Sequence, residues 1–159
     1  AAFMRVKGGD HDPRAFNQDY LEALGEGCYL LPGAEAFCRA LSDGGCRLAI
    51  VTNGLPTAQW GRFNRSPLKD IIPHMFVSME VGYQKPQKEY FDAVCAALDL
   101  TDRSRAVIVG DSLRSDVLGG RNAGIDTIWY NPSGQPEDPA IRPTMTAKNY
   151  QDILGYLFT

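Results

Sequence analysis

Residues 106–116, which read AVIVGDSLRSD, are the stretch that decides the fold. The run from Ala106 to Gly110 is short, apolar and rich in β-branched side chains, which is typical of a buried strand. Asp111 follows this run directly, and Asp116 lies in the first turn of the helix that we expect next. The stretch therefore predicts a strand that delivers two carboxylates into a strand-to-helix turn.

Apolar runs and amphipathic stretches alternate along the chain from Arg47 onward. The other predicted strands are 46–52, 75–79 and 126–130, and the predicted helices are 32–43, 56–66, 86–98, 113–122 and 150–158. Residues 16–29 are interpreted as one or two helices outside this alternation. Strands that alternate with helices indicate βαβ units. We therefore predict an α/β fold with a Rossmann-like parallel sheet and flanking helices.

Composition and charge limit the partners that the protein can have. Of the 159 residues, 44% are hydrophobic and 22% are charged, which is typical of a soluble globular domain with a sizeable core. The formal net charge of −3 provides no general attraction to nucleic acid or to an anionic membrane surface. No run approaches the roughly 20 apolar residues of a membrane-spanning helix. We expect a cytoplasmic protein that binds a small molecule, and neither a nucleic acid polymer nor a membrane.

Polar residues also stand in two other predicted loops. Thr52-Asn53-Gly54 supplies a hydroxyl, an amide and a glycine that lets the backbone approach a ligand, so these residues can donate hydrogen bonds to phosphate oxygens. The alternative is an ordinary turn. Lys85 precedes Pro86 at a helix start, where a cation opposes the helix dipole and calls for a nearby anion. Taken alone, Lys85 is equally well explained as a solvated side chain.

The carboxylates of Asp111 and Asp116 have the chemistry of a magnesium site. Mg²⁺ prefers oxygen ligands and binds through one or two carboxylates together with waters and substrate phosphate. The alternative is that Asp116, or Ser112, simply caps the helix. Because ligands of open parallel sheets bind at the carboxyl ends of the strands, we expect the polar residues of all three loops to face one site.

Together, the three loops resemble the motifs of the haloacid dehalogenase-like hydrolase superfamily. Its phosphatases carry Thr or Ser after the second strand, Lys before a later helix, and a Gly-Asp-x4-Asp loop. Residues 51–54, 80–86 and 109–116 fit these motifs in order, and residues 115–129 are similar to the noncanonical pyrimidine 5′-nucleotidase subgroup. The resemblance implies a Mg²⁺-dependent phosphomonoester hydrolase with an aspartyl-phosphate intermediate. It also implies a small phosphorylated metabolite as substrate, and the subgroup suggests a nucleoside monophosphate.

The resemblance further implies a role for each candidate residue. Thr52 and Asn53 would hold the transferring phosphoryl group, and Lys85 would neutralise its charge beside the nucleophile. Asp111 would bind Mg²⁺, and Asp116 would either help to hold the ion and its waters or orient Lys85. The Asp111 carboxylate favours a phosphatase over a dehalogenase, since the dehalogenases of the superfamily need no Mg²⁺.

The carboxylate pair that starts the family's reaction does not stand where the pattern requires it. In the family, an Asp-x-Asp segment after the first strand supplies the nucleophile and the acid-base group, but upstream of Thr52 no apolar run precedes such a segment. Residues 10–12, Asp-His-Asp, follow Lys-Gly-Gly at 7–9, so we interpret them as a polar loop. We therefore expect the chain, which begins at Ala1 without an initiator methionine, to be the C-terminal part of a longer hydrolase and to lack turnover by itself.

This interpretation divides the chain into two parts. Residues 1–31 are expected to be the remnant of a helical cap and its linker, and residues 32–159 to be the hydrolase core. The first strand and most of the cap are expected to be missing. By family analogy that strand is the central one, so its loss would divide the hydrogen-bonded ladder of the sheet.

Two other classes of protein are compatible with parts of the pattern. A non-catalytic phosphate-binding or interaction module would keep the polar loops and lack the nucleophile, and the sequence preceding Ala1 would distinguish it from an enzyme. A receiver-like signalling domain is also α/β. However, such a domain places its acidic pair near the start and its lysine after the last strand, so the order Thr52, Lys85, Asp111 opposes it.

Overall fold

The computed structural model describes residues 12–158, which fold as helices packed around parallel strands. The strands are β1 (Ala49–Thr52), β2 (His74–Val77), β3 (Val107–Gly110), β4 (Asp126–Tyr130) and β5 (Met145–Ala147). The helices are α1 (Pro13–Glu26), α2 (Ala34–Asp43), α3 (Pro56–Arg65), α4 (Ser78–Val81), α5 (Lys88–Ala97), α6 (Leu118–Asn122) and α7 (Tyr150–Leu157). A π-helical turn spans Leu113–Val117. Within residues 12–158, none of the helices combines the length and apolar character that crossing a membrane requires.

The strands form two parallel ladders. β1 pairs with β2, so that Thr52 lies beside Val77, and β3 pairs with β4, so that Gly110 lies beside Trp129. β5 extends the second ladder on the far side of β4. Parallel pairing brings the carboxyl ends of neighbouring strands to the same edge, which confirms the predicted α/β parallel architecture. In the part of the chain that the structure describes, the two ladders are separate, as expected for a divided sheet.

The apolar stripe predicted for residues 86–98 forms the largest core cluster. Tyr90, Phe91, Val94 and Cys95 on α5 are buried against the segment that connects α6 to β4. A second cluster joins the inward faces of β4, β5 and α7. Burial of these side chains removes apolar surface from water and fixes α5 beneath the carboxyl ends of β1 and β2.

Predicted strands differ from the structure in their bounds, and one strand was not predicted. β1 begins at Ala49 rather than at residue 46. β2 ends at Val77, since the next four residues form the helical turn α4, which ends at Gly82 in the left-handed conformation at φ +84°. β5 was not predicted from the sequence, because three residues are too few to show an alternating pattern.

The helix α1 packs closely on α3, the helix that follows the Thr52 loop. The two helices approach at glycines, since a Cβ added to Gly61 would lie only 2.9 Å from the carbonyl oxygen of Gly25. Arg65 donates to the same Gly25 oxygen at 3.1 Å. The predicted helix or helices at 16–29 are thus a single helix docked on the core. Its assignment to a cap remnant stays a prediction, and Asp10 and His11 of the Asp-His-Asp segment lie outside the described residues.

Candidate functional site

The ammonium group of Lys85 joins two of the predicted loops. Its Nζ donates to the backbone oxygen of Val51 at 2.9 Å and to Oδ1 of Asp116 at 2.6 Å. Only 10% of the Lys85 side chain and 9% of the Asp116 side chain are exposed, so the ion pair is largely shielded from water. An ammonium group has three N–H donors. The bonds to Val51 and Asp116 use two of these donors, so one N–H of Lys85 remains for a further acceptor.

The side chain of Asn53 ties its loop to the backbone of Lys85. Its Nδ2 donates to the Lys85 carbonyl at 3.0 Å, and its Oδ1 accepts from the Lys85 N–H at 2.9 Å. The next residue, Gly54, has φ +151° and donates its N–H to the hydroxyl of Ser78 on α4 at 3.2 Å. Asn53 and Gly54 thus hold the loop after β1 against Lys85 and α4. The side-chain amide of Asn53 is engaged and does not face an open position.

Thr52 presents the hydroxyl that these contacts leave available. Its Oγ1 makes only a long contact, 3.4 Å, with the carbonyl of Asn53. Its backbone N–H is taken up by the hydroxyl of Tyr90, at 3.0 Å. The Thr52 hydroxyl is therefore free to rotate toward an anion held near Lys85.

Asp116 is placed by the local backbone to face Lys85. Its Oδ2 accepts from the Ser112 N–H at 3.1 Å, so both carboxylate oxygens are engaged by protein donors. The hydroxyl of Ser112 caps the π-helical turn by accepting from Ser115, which makes Ser112, and not Asp116, the cap. A Cβ at Gly110 would overlap the Asp116 carboxyl group. Glycine at the strand end is thus what allows the carboxylate to cross toward Lys85.

Asp111 stands on the other side of this loop with an exposed side chain. Its backbone oxygen accepts from the indole Nε1 of Trp129 at 2.9 Å, and Trp129 on β4 is only 1% exposed. The buried indole anchors the loop while the carboxylate remains open to solvent. Sequence patterning predicts Trp129 as a strand residue but carries no signal for this bond.

The carboxylates of Asp111 and Asp116 differ in how well they suit Mg²⁺. Among residues 12–158 no group of three or more His, Cys, Asp or Glu side chains could hold a metal ion. One free carboxylate is nevertheless compatible with Mg²⁺, which takes one or two carboxylates and fills its other positions with water and phosphate. Asp111 fits that role. For Asp116, the engagement of both oxygens favours the alternative in which it orients Lys85.

The sequence of the chain matches a known protein family over most of its length. The family profile of haloacid dehalogenase-like hydrolases matches residues 5–124. The chain belongs to the haloacid dehalogenase-like hydrolases. This membership confirms the resemblance of the three loops to that family, and it agrees with the parallel α/β fold.

The chain is also similar in sequence to two pyrimidine 5′-nucleotidases. The chain is 36% identical over 142 residues to the pyrimidine 5′-nucleotidase YjjG of Escherichia coli, covering 89% of this chain and 63% of YjjG. It is 32% identical over 150 residues to the pyrimidine 5′-nucleotidase PynA of Streptococcus pneumoniae, covering 94% of this chain and 63% of PynA. The chain thus spans just under two thirds of the length of these relatives.

A solved structure of the family shares the fold over nearly the whole chain. The magnesium-bound crystal structure of the putative hydrolase YfnB of Bacillus subtilis superposes with a TM-score of 0.89 at 35% identity. The superposition covers 99% of this chain and 69% of that one. The two parallel ladders and their helices are therefore those of a haloacid dehalogenase-like core.

Proposed function

We propose that this chain is the greater part of a Mg²⁺-dependent phosphomonoester hydrolase that acts on nucleoside monophosphates. The observation that carries the proposal is the shielded Lys85–Asp116 ion pair, whose ammonium group also bonds the Val51 carbonyl, one residue before Thr52. These two bonds leave one of its three donors for a phosphoryl oxygen. A fixed cation and a hydroxyl donor, held in place before substrate arrives, suit the dispersed negative charge of a transferring phosphoryl group. The likeness to two pyrimidine 5′-nucleotidases supports the nucleotide as substrate class.

Each residue has a defined task in the proposed reaction. Lys85 donates to a phosphoryl oxygen, and Asp116 holds the ammonium group in place through their ion pair. Thr52 donates its hydroxyl to a second oxygen. Asn53 acts by holding the Lys85 backbone, and Gly54, which has no side chain, leaves room for the phosphoryl group to approach the loop. Asp111 would hold Mg²⁺, which when bound neutralises charge on the phosphoryl group.

The nucleophilic carboxylate and its acid-base partner are proposed to come from sequence that precedes Ala1. The nucleophilic carboxylate would attack phosphorus to form an aspartyl-phosphate as the phosphorus–oxygen bond to the alcohol breaks, and the acid-base partner would give its proton to the leaving alcohol. The partner would then take a proton from the water that attacks the aspartyl-phosphate, which releases inorganic phosphate and regenerates the carboxylate. The proposed setting is the cytoplasm.

The function is tested by assaying the complete protein and the 159-residue chain side by side. With Mg²⁺, the complete protein is expected to hydrolyse p-nitrophenyl phosphate and to prefer nucleoside monophosphates within a panel of sugar phosphates and amino acid phosphates. The 159-residue chain is expected to show no turnover, since it lacks the proposed nucleophile. Phosphate binding without turnover by the complete protein would instead identify a non-catalytic phosphate-binding module. Turnover by the 159-residue chain that Lys85→Ala abolishes would show that the nucleophile lies within it.

The metal role of Asp111 predicts the effect of Asp111→Asn in the complete protein. An amide is a neutral and weaker ligand, so the Mg²⁺ concentration for half-maximal activity should rise by about 10-fold or more and activity should fall. Magnesium titration of the rate measures both effects. Asp43→Asn, at the end of α2 and the amino-terminal side of β1, is the matched control and should change neither. An unchanged magnesium dependence in Asp111→Asn would remove Asp111 from the metal site.

A further inference from the structure

The hydroxyl of Tyr90 links the backbones of two strands at the candidate site. Tyr90 lies on α5 and is 0% exposed, and its ring packs edge-on against Phe91. The hydroxyl accepts from the Thr52 N–H at 3.0 Å and donates to the Phe76 carbonyl at 2.7 Å. Thr52 ends β1, and Phe76 stands one residue before the end of β2. One side chain thus satisfies a donor and an acceptor on neighbouring strands.

We propose that Tyr90 is a positioning residue for phosphoryl transfer, acting through the Thr52 backbone to aim the Thr52 hydroxyl. The inference rests on the proposed function, because it assumes that Thr52 contacts the phosphoryl group. Sequence periodicity places Tyr90 in the apolar core, where a phenylalanine would fill the same space. Core packing does not require the Tyr90 hydroxyl, but the Thr52 N–H and the Phe76 carbonyl both bond to it.

The bond from Tyr90 adds to the ladder pairing of Thr52 with Val77 in holding the end of β1. The side-chain contact of Thr52 to Asn53 is long, at 3.4 Å, and therefore weak. The adjacent Val51 carbonyl accepts from Lys85, so a shift of the β1 end would move the ammonium group as well. A hydroxyl that bonds both strand ends holds the Thr52 donor and the Lys85 donor in a constant relation to each other.

The electrostatic surroundings keep the Tyr90 proton in place. Burial is the main cause that raises the pKa of Tyr90 to about 12, and the Asp116 carboxylate raises it further, while the bond from the Thr52 backbone opposes the shift. The phenol therefore stays protonated over the whole range of an enzyme assay. It can accept from Thr52 and donate to Phe76 at the same time.

The substitution Tyr90→Phe in the complete protein tests the proposal. It keeps the ring and removes both hydrogen bonds, so kcat should fall by about 10- to 100-fold, the effect of a small misplacement of a contacting group. The magnesium concentration for half-maximal activity should stay unchanged, because Asp111 is anchored by Trp129 and not by Tyr90. Tyr150→Phe is the matched control: Tyr150 stacks on Tyr130 in another core cluster, and kcat should be unaffected.

A double-mutant cycle separates positioning from general stability. If Tyr90 acts largely through Thr52, combining Tyr90→Phe with Thr52→Val should lower kcat by clearly less than the product of the two separate losses, and the remaining loss reflects the Lys85 donor that the end of β1 also holds. Additive losses, or a Tyr90→Phe loss that only follows the folded fraction, would overturn the proposal. Should Tyr90→Phe not fold, 4-aminophenylalanine at this position keeps a donor to Phe76 but accepts poorly from Thr52. A lowered kcat is then expected, and full activity would overturn the proposal.

Amide hydrogen exchange and phosphate binding keep the test of Tyr90 separate from the test of the proposed function. In Tyr90→Phe, the Thr52 amide hydrogen should exchange faster, and inorganic phosphate with Mg²⁺ should bind about 10-fold more weakly or worse. Neither readout needs turnover. A complete protein without phosphatase activity would contradict the proposed function alone. Unchanged amide exchange and phosphate binding in an active Tyr90→Phe variant would contradict the role of Tyr90 alone.

Discussion

Lys85→Met in the complete protein is expected to lower kcat by about 10²- to 10³-fold, the usual effect of removing one preorganised donor to a developing charge. Methionine keeps much of the length and volume of the lysine side chain but carries no charge. Because the Lys85 ammonium group is shielded and held by Val51 and Asp116, water and mobile cations should replace it poorly. Steady-state rates at saturating nucleoside monophosphate and Mg²⁺ measure the loss.

Lys88→Met is the control for this change. Lys88 lies three residues further along the chain, and its ammonium group forms an exposed i,i+4 ion pair with Asp92 on the surface of α5. Exposed pairs of this kind contribute little to stability. The rate of Lys88→Met should therefore stay close to that of the unchanged protein. Equal rate losses in the two variants would show that Lys85 has no special role at the site.

Asp116→Ala is expected to lower the free energy of unfolding by about 3–5 kcal/mol, because it leaves the shielded Lys85 ammonium group without its counter-charge. It also leaves the Ser112 N–H without its acceptor, which adds to the loss. Urea unfolding of the complete protein, followed by circular dichroism, measures the change. Activity should fall with it, since Lys85 is no longer oriented.

The double substitution Lys85→Met with Asp116→Leu separates these two contributions. Removing both charges leaves no unpaired ion, so stability should recover to within about 1–2 kcal/mol of the unchanged protein. Activity should stay as low as in Lys85→Met. If stability does not recover, the cost of Asp116→Ala comes from the π-helical turn rather than from the unpaired charge of Lys85. Recovered activity would contradict the placement of Lys85 at the reacting phosphoryl group.

The sequence predicted the core strands well where an apolar run marks the buried segment and turn residues mark its ends. Strand 126–130 coincides with β4, since turn-forming residues mark both of its ends, Gly124 before it and Asn131-Pro132 after it. The predicted strand 75–79 extends two residues beyond β2. There the backbone turns into α4, and the Ser78 hydroxyl accepts from Gly54, a contact with a residue 24 positions away that no local pattern records.

At the candidate site, too, the sequence indicates which residues lie together but not which hydrogen bonds their side chains make. Motif spacing identified Thr52, Lys85 and Asp116 as polar residues of one site, and the structure joins their loops through Nζ of Lys85. The Asn53 side chain also binds the Lys85 backbone, a contact that motif spacing does not indicate, and its contact with the phosphoryl group stays a prediction. An amide side chain can serve either purpose, and only the distance between the folded loops decides which partner it finds.

The sequence by itself determined the family, the parallel α/β class and the loops that carry chemistry, because residue type and spacing along one chain are enough to define them. The tertiary structure decided which hydrogen bonds hold those loops. Tyr90 and Trp129 belong to the core by periodicity, yet their polar atoms bind the backbones of Thr52 and Asp111. Periodicity reports which face of an element is buried, whereas the partner of a buried hydroxyl or indole depends on which distant backbone group packing brings within about 3 Å.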